Sequence, residues 1–284
     1  ARRQVSRYLC WGGKQFSVAA KEVLVESQKF RYNVLTDQWV VFATDRRARP
    51  MQTVTPTNGL KCSQHDEFFD GCPFCKGNEE LTPPSLLTIT NPEGDWAVRV
   101  VPNKYPAVTP IQETMDQHLM FDDPRKDEEV ALELPAIGVH EVVIETPQHN
   151  RPTAVASVDE LFLTVQAWQN RGQALAANED LQHIVYFKNQ GSNAGASLVH
   201  PHAQIVALPF VPRNVQSVQS LALRHYSRFA SSMYDDVINR VTADGDLLLD
   251  TEGDFISFVP FAAPTPFTIY IMGTGHSNVD EAAH

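Results

Sequence analysis

NQGSNAGASLVHPHAQIVAL, residues 189–208, joins a glycine-bearing loop to a segment with two closely spaced histidines. Its second half, HPHAQIVAL, has the pattern of a β-strand, on which alternate side chains share a face. We therefore predict that His200, His202 and Gln204 point the same way. Because Pro201 cannot donate a ladder hydrogen bond, we expect this strand at a sheet edge or a bulge. A lone strand histidine is usually structural, but a pair at this spacing beside a glycine-bearing loop indicates a site.

The loop NQGSNAGAS (189–197) has the composition of an anion-binding turn. Gly191 and Gly195 permit positive φ angles and close backbone approach, and successive N–H groups in such a turn form a concavity for an anion. Asn189 and Ser197 add side-chain donors for phosphate oxygens. Most loops rich in glycine and serine have no such role, but one that leads directly into HPHAQ predicts a phosphate site.

The rest of the chain alternates short strand patterns with clear helical ones. Val158–Ala177 has helical spacing, with Leu161, Val165, Trp168 and Leu175 as predicted core positions. Strands are predicted from Phe30, around Trp39–Ala43, and at Val98–Val101, 140–145 and His183–Lys188, and a helical insertion is predicted at 213–245.

Two late segments repeat two earlier ones. DFISFVPFAAP (254–264) matches WAVRVVPNKYP (96–106), and FTIYIMGTGH (267–276) matches HEVVIETPQH (140–149). Only the first copy continues into a helix and two more strands, which predicts a duplication with a truncated second copy, although chance similarity stays open. The predicted organisation is a basic N-terminal arm (1–21), a first repeat (22–212), a helical insertion or linker (213–252) and a truncated second repeat (253–284).

Charge and hydropathy exclude two classes of protein. A formal net charge of -11 over 284 residues argues against a nucleic-acid-binding surface, which needs a basic stripe. No apolar run approaches the length of a membrane span. Residues 1–21 hold basic side chains and no acid, which fits either the remnant of an organelle-targeting leader or a solvated tail. We accordingly expect a mitochondrial or other organellar location, and otherwise a cytoplasmic one.

The motif CPFC, from Cys72 to Cys75, is the second element with chemistry. Such a pair fits either half of a zinc site or a redox dithiol. A redox dithiol is expected at the start of a helix, and the prolines at 83 and 84 argue against a long helix here. Only Cys10 and Cys62 remain, which is too few for a disulfide scaffold and favours a reducing compartment.

Taken together, these motifs resemble the galactose-1-phosphate uridylyltransferase family of the histidine-triad superfamily, most closely its plant-type ADP-glucose phosphorylase branch. The resemblance rests on NQG-x3-GAS-x2-HPHAQ, and it includes N-x-LT-x2-W and R-x2-RP within 33–50, CPFC followed by GNE, VPNKYP, and VPFAAPTPF at 259–267. It implies an α+β fold, with a histidine-triad-like antiparallel sheet, packed helices, one full repeat and a truncated second repeat.

The resemblance also implies roles for individual residues. His202 is the implied nucleophile, which attacks the α-phosphorus of a nucleotide sugar to give a nucleotidyl-histidine, and Gln204 donates to a phosphate oxygen. Arg46, Arg49 and Asn103 match positions that line the substrate pocket. The implied partners are a nucleotide sugar and either phosphate or a sugar 1-phosphate.

A structural zinc site is implied as well. The family pattern pairs the two cysteines of CPFC with the histidine that ends TPQH and the first histidine of HPH. The implied ligands are therefore Cys72, Cys75, His149 and His200. Such a site would connect the active-site strand to the distant CPFC segment, which we call the knuckle. Metal binding would then contribute to folding.

Three functions remain open at this point. The intact motifs favour a nucleotidyltransferase that acts on a nucleotide sugar. The truncated second copy, where the family places much of its sugar recognition, favours two others. These are a histidine-triad hydrolase that passes the nucleotide to water, and a non-catalytic accessory subunit of a larger organellar assembly. Motifs establish ancestry more securely than present activity, so the sequence alone does not decide whether the chain is an enzyme.

Overall fold

The computed structural model describes residues 10–11, 14–15, 28–33, 38–43, 46, 49, 66–110 and 133–275. Most of the predicted arm, Cys62 and the last part of the predicted second repeat (276–284) lie outside these residues. In chain order the strands are β1 (Cys10–Trp11), β2 (Lys14–Gln15), β3 (Gln28–Asn33), β4 (Gln38–Ala43), β5 (Leu87–Thr90), β6 (Trp96–Pro102), β7 (Glu133–Pro135), β8 (Val139–Ile144), β9 (His183–Phe187), β10 (His202–Leu208), β11 (Leu248–Glu252), β12 (Phe255–Phe258) and β13 (Tyr270–Gly273). The helices are α1 (Val158–Ala176), α2 (Arg213–Phe229) and α3 (Met233–Asp244).

A five-stranded antiparallel sheet, in the order β5-β6-β8-β10-β9, positions the candidate site. Strand β8 is buried along almost its whole length, as expected when both faces of a sheet are covered. On one face, β6, β8 and β10 contribute a core with α1 that includes Val100, Val143 and Ile205. On the other face, Val142 and Ile144 pack against the CPFC segment. The sheet therefore separates helix α1 from the predicted metal knuckle.

Helix α1 covers the first face of this sheet. It begins at a capping box, in which the Ser157 hydroxyl accepts from the Glu160 N–H and the Glu160 carboxylate accepts from the Ser157 N–H. The predicted core positions Trp168 and Leu175 do pack against the sheet, whereas Leu161 and Val165 are 36% and 42% exposed. The prediction for those two residues was wrong because the helix turns Thr164 and Ala167 inward instead.

A buried ion pair fixes α1 to β8. The guanidinium of Arg171 donates from Nε and Nη2 to the two carboxylate oxygens of Glu141, at 2.9 and 2.6 Å. Glu141 is 1% exposed, and the bidentate bonds from Arg171 replace the water that its buried carboxylate oxygens have lost. The pair holds β8 in place immediately beside His140, which lies on the opposite face of the sheet.

Strand β10 lies between β8 and β9 and is paired on both sides. The predicted edge or bulge position is therefore wrong. The ladder begins at His202, so Pro201 precedes it and no ladder donor is lost, while the Pro201 carbonyl accepts from the N–H of Glu145. The predicted common face is confirmed for His202 and Gln204, which line one cavity while Ala203 between them points into the core under α1. The third predicted member, His200, precedes the ladder, and its ring lies against the two cysteines of CPFC instead. A ligand approaches this strand from its face.

Two three-stranded antiparallel sheets, β4-β3-β7 and β11-β12-β13, accompany the central one. The predicted strands from Phe30 and around Trp39–Ala43 are confirmed as β3 and β4. Helix α3 packs on the last sheet through Ile238 and Val241. Residues 248–252, which we assigned to the insertion, form β11 and pair with β12. The order β11-β12-β13 parallels β5-β6-β8, but the duplication and its boundaries stay a prediction.

The predicted α+β class, with an antiparallel sheet and packed helices, is confirmed. Among the described helices, none is both long enough and apolar enough to cross a membrane.

Candidate active site

The four predicted metal ligands lie close together, and all of them are buried. They are Cys72, Cys75, His149 and His200. Their donor atoms lie within 4.8 Å of one another. Sγ of Cys75 is 3.5 Å from Nδ1 of His149 and 3.6 Å from Nδ1 of His200, and Sγ of Cys72 is 3.7 Å from the latter nitrogen. In tetrahedral coordination, metal–sulfur bonds of about 2.3 Å and metal–nitrogen bonds of about 2.0–2.1 Å place the sulfur and nitrogen ligand atoms about 3.6 Å apart. The donor set therefore fits a tetrahedral Cys2His2 metal site.

Thr146 orients the ring of His200 for this role. Nε2 of His200 lies 2.8 Å from the carbonyl oxygen of Thr146, which can only accept. The hydrogen is therefore on Nε2, and Nδ1 offers its lone pair to the cluster. Burial lowers the pKa of His200 to about 3, which keeps the ring neutral, and burial raises the pKa of Cys72 to about 12. A cation in the cluster would stabilise the thiolate form of these cysteines.

Phe74, inside the CPFC motif, connects the knuckle to the strand that follows the glycine loop. Its ring centroid lies 5.9 Å from that of His200 and 5.3 Å from that of His202. Asn78 closes the knuckle by donating from Nδ2 to the carbonyl of Cys72 at 2.8 Å. The knuckle is thereby packed against both histidines of the HPH motif.

His202 combines burial with a defined tautomer. Its Nδ1 lies 2.8 Å from the carbonyl oxygen of His200, so Nδ1 carries the hydrogen and Nε2 has the lone pair. This assignment follows from the network, because a carbonyl cannot donate. Burial lowers the pKa of His202 by more than the hydrogen bond to His200 raises it, and Lys188 lowers it further. The ring is therefore neutral at neutral pH, with Nε2 available as a nucleophile.

His202 and Gln204 line a cavity of about 240 Å³. Among the described residues that line it, Arg46, Arg49 and Lys104 are positively charged and none is an aspartate or glutamate. The predicted pocket residue Asn103 lies in the same wall. This cavity is locally cationic although the chain as a whole is acidic, which favours an anionic ligand.

Arg46 shows how the cationic side of the cavity is built. Its Nη1 donates to the carbonyl oxygen of Tyr105 at 2.6 Å, which fixes the direction of the guanidinium. Burial lowers the pKa of Arg46, and the neighbouring charge of Arg49 lowers it further. Two like charges held close together stabilise an anion placed between them, and a guanidinium binds phosphate oxygens in a bidentate manner.

The glycine loop contributes only its second half to the cavity. Gly195 and Ser197 line it, whereas Asn189 and Gly191 are exposed and lie outside the lining residues. Gly191 and Gly195 have φ angles of 78° and 81°, as their residue type predicted. The carbonyl of Gly191 accepts from the N–H of Ala196 at 3.1 Å, so the first glycine closes the turn that presents 195–197.

Sequence reasoning gave no role to Lys104 of the VPNKYP motif, and it missed two further parts of the site. One is the wall at 81–83, where Leu81, Thr82 and Pro83 line the cavity without any chemical signature in the sequence. The other is His140, which we placed in a buried strand without a role. Its Nε2 lies 2.9 Å from Oε1 of Gln204. The period of two along HEVVIE, which puts His140 on the face of Val142, was the available signal.

The sheet, the Cys2His2 cluster and the HPH strand agree with the family resemblance of the motifs, and so does the sequence comparison. The chain belongs to the galactose-1-phosphate uridyl transferase family, whose N-terminal domain matches residues 19–212. This match covers well over half of the chain, and it confirms the family resemblance predicted from the motifs.

Individual relatives come from both branches of the family. The chain is 29% identical over 257 residues to the ADP-glucose phosphorylase of Arabidopsis thaliana, over 89% of this chain and 68% of that protein. It is 27% identical over 250 residues to the galactose-1-phosphate uridylyltransferase of Thermotoga maritima, over 87% and 67%. The crystal structure of the Arabidopsis ADP-glucose phosphorylase with bound ADP-glucose matches with a TM-score of 0.60 at 28% identity, over 90% of this chain and 73% of that one. The chain thus spans about two thirds of the length of the curated relatives it matches.

Proposed function

We propose that this chain transfers a nucleotide from a nucleotide sugar to phosphate or a sugar phosphate, through a covalent intermediate on His202. One observation carries the proposal: Nε2 of a neutral, buried histidine is available in a cavity lined by cations. Family membership supports nucleotidyl transfer as the reaction type.

In the first step, Nε2 of His202 attacks the α-phosphorus of the nucleotide sugar. A nitrogen–phosphorus bond forms, and the bond from that phosphorus to the bridging oxygen breaks. The electron pair leaves with sugar 1-phosphate, a phosphate leaving group that needs no proton at neutral pH. The absence of a carboxylic acid among the described lining residues is consistent with this. The hydrogen bond from Nδ1 to the His200 carbonyl stabilises the positive charge that develops on the ring.

In the second step, an oxygen of the acceptor attacks the same phosphorus and His202 leaves as neutral imidazole. If the acceptor is phosphate, the product is a nucleoside diphosphate. Arg46, Arg49 and Lys104 lie where they can compensate the charge of a nucleotide and an anionic acceptor. Most of the catalysis in such a transfer comes from positioning and charge stabilisation.

Zinc is the metal that we propose for the Cys2His2 cluster. Two thiolates and two imidazoles at tetrahedral spacing, all buried, are typical of a structural zinc site without an open coordination position. When bound, the ion supplies a rigid connection between the knuckle and the strand that follows His200. It takes no part in the chemical steps.

ADP-glucose is the first donor that we propose. The relative at 29% identity is an ADP-glucose phosphorylase, and a matched structure holds ADP-glucose. UDP-glucose is the second donor, because uridylyltransferases are also among the relatives.

The test is covalent trapping with donor nucleotides labelled at the α-phosphorus. Wild-type protein is expected to take up acid-labile label, and His202→Ala is expected to take up none. His225→Ala is the matched control, since His225 pairs with Asp236 between α2 and α3 and does not line the cavity. Release of nucleoside diphosphate only when phosphate is present indicates phosphorolysis, and release of nucleoside monophosphate by water indicates the hydrolase alternative. A wild-type protein that takes up no label contradicts the proposal.

A further inference from the structure

His140 is a buried histidine beside the cavity that the chemistry described so far does not use. It is 5% exposed, and both of its ring nitrogens have close polar neighbours. The backbone N–H of Ala107 donates to Nδ1 at 2.9 Å, and Nη1 of Arg46 lies 3.5 Å from the same nitrogen. Nε2 lies 2.9 Å from Oε1 of Gln204.

The neighbours of Nδ1 decide which tautomer is present. A backbone N–H and a guanidinium can donate but cannot accept, so Nδ1 of His140 is the acceptor nitrogen. A neutral imidazole then carries its hydrogen on Nε2. Burial lowers the pKa of His140 to about 4, and the charge of Arg46 also lowers it, so the ring is neutral at neutral pH.

The tautomer of His140 in turn decides which way the Gln204 amide faces. The Nε2–H of His140 needs an acceptor, and Oε1 of Gln204 at 2.9 Å provides it. The NH2 group of Gln204 is therefore directed away from His140. Asn103 also brings its Nδ2 to 3.0 Å from Nε2, but an amide NH2 group cannot accept, and the Oδ1 of Asn103 already accepts from the N–H of Tyr105. With the hydrogen on Nε2, the Asn103 contact is therefore not a hydrogen bond, and Oε1 of Gln204 is the acceptor that faces Nε2.

We propose that His140 is a positioning residue for nucleotidyl transfer, because it fixes the Gln204 amide with its NH2 group toward the phosphate that His202 attacks. The inference rests on the proposed function. An amide without this constraint can rotate and present its oxygen to the phosphate, where it repels rather than stabilises. With the carbonyl oxygen held by His140, the donor is in place before the substrate arrives.

Two substitutions separate this role from a purely structural one. An asparagine amide reaches about as far as Nδ1 of histidine, so His140→Asn keeps an acceptor for Ala107 and loses the donor to Gln204. A glutamine amide reaches about as far as Nε2, so His140→Gln keeps the donor to Gln204 and loses the acceptor for Ala107. If His140 acts through Gln204, the asparagine variant is the impaired one. If His140 only supports the backbone at Ala107, the glutamine variant is the impaired one.

The experiment measures the single-turnover rate of His202 labelling in these variants and in Gln204→Ala. We expect His140→Asn and Gln204→Ala each to slow labelling about tenfold to a hundredfold, the effect of losing one hydrogen bond to a charged group. His140→Gln should stay within about threefold of wild type. The double variant His140→Asn/Gln204→Ala should be no slower than Gln204→Ala alone, because both changes remove the same donor. The proposal is overturned if the effects of His140→Asn and Gln204→Ala multiply in the double variant. It is also overturned if His140→Gln is labelled more slowly than His140→Asn.

A measurement on the unmutated protein keeps this test separate from that of the proposed function. Two-dimensional NMR of 15N-labelled histidine reports which ring nitrogen carries the hydrogen. We expect His140 as the Nε2–H tautomer at neutral pH. A hydrogen on Nδ1 overturns the positioning role whether or not the protein takes up label. A wild-type protein that shows the Nε2–H tautomer but takes up no label contradicts the proposed function, and with it the role of His140 in catalysis.

Discussion

Nδ1 of His202 lies 2.8 Å from the carbonyl oxygen of His200, the residue whose own ring faces the two cysteines of the knuckle. This one hydrogen bond links the Cys2His2 cluster to the proposed nucleophile. Metal ligation of His200 would fix its backbone, while its carbonyl fixes the tautomer of His202 and leaves the lone pair on Nε2 of His202. Damage to the cluster should therefore affect both stability and labelling.

Loss of a cysteine ligand is expected to remove the metal and destabilise the fold. Cys75→Ser should bind less than half an equivalent of zinc and unfold at a lower temperature, since metal binding contributes directly to folding. Lys76→Ala is the matched control next in sequence. Its ion pair with Asp95 is half exposed on both sides and should contribute less than about 1 kcal/mol. Elemental analysis and thermal unfolding provide the measurements. Full zinc occupancy in Cys75→Ser, or no zinc in the wild type after reconstitution, contradicts the assignment.

Removal of one cavity arginine is expected to weaken nucleotide binding. Arg49→Gln should raise the Kd for ADP at least about tenfold, because a hydrogen bond to a charged phosphate is worth roughly 1.5–3 kcal/mol. Arg240→Gln makes the same change of charge on the exposed side of α3, where Arg240 pairs with Asp244. Calorimetric titration of both variants should show a change only for Arg49→Gln. Equal weakening in both would mean that only net charge matters.

The buried His140 predicts a pH dependence of stability. Its folded pKa is about 4 and an unfolded histidine titrates near 6.5, so the unfolded chain binds more protons between these values. The contribution of the neutral ring is complete above about pH 6.5 and is lost as the pH falls toward 4. Between pH 7 and 4, the free energy of unfolding of wild type should fall by up to about 3 kcal/mol more than that of His140→Asn. Urea unfolding at several pH values measures this, and parallel pH profiles would show that His140 titrates normally.

The sequence predicted those parts of the molecule that depend on local pattern or on a chemically distinctive motif. The extent of α1 and the shared face of His202 and Gln204 follow from helix and strand periodicity. The convergence of the cysteines with His149 and His200 followed from the family resemblance. No local pattern would have shown that these residues meet, because they are separated by up to 128 positions.

Tertiary context explains where the predictions were wrong or silent. Leu161 and Val165 have apolar side chains, yet the sheet contacts the neighbouring stripe of α1, so burial follows the direction of packing. Pro201 suggested an edge strand because the sequence does not show that the ladder begins one residue later. The role of His140 depends on Ala107 and Gln204, which lie on other segments of the chain.

Mass spectrometry of the protein after brief incubation with ADP-glucose or UDP-glucose would show whether a nucleotide becomes attached to His202. Our account predicts a mass increase of one nucleoside monophosphate that maps to the peptide containing His202, is removed by acid, and disappears on addition of phosphate or a sugar phosphate acceptor. A zinc-loaded, folded protein that shows no such increase with either donor, or that shows it on another residue, would contradict the account.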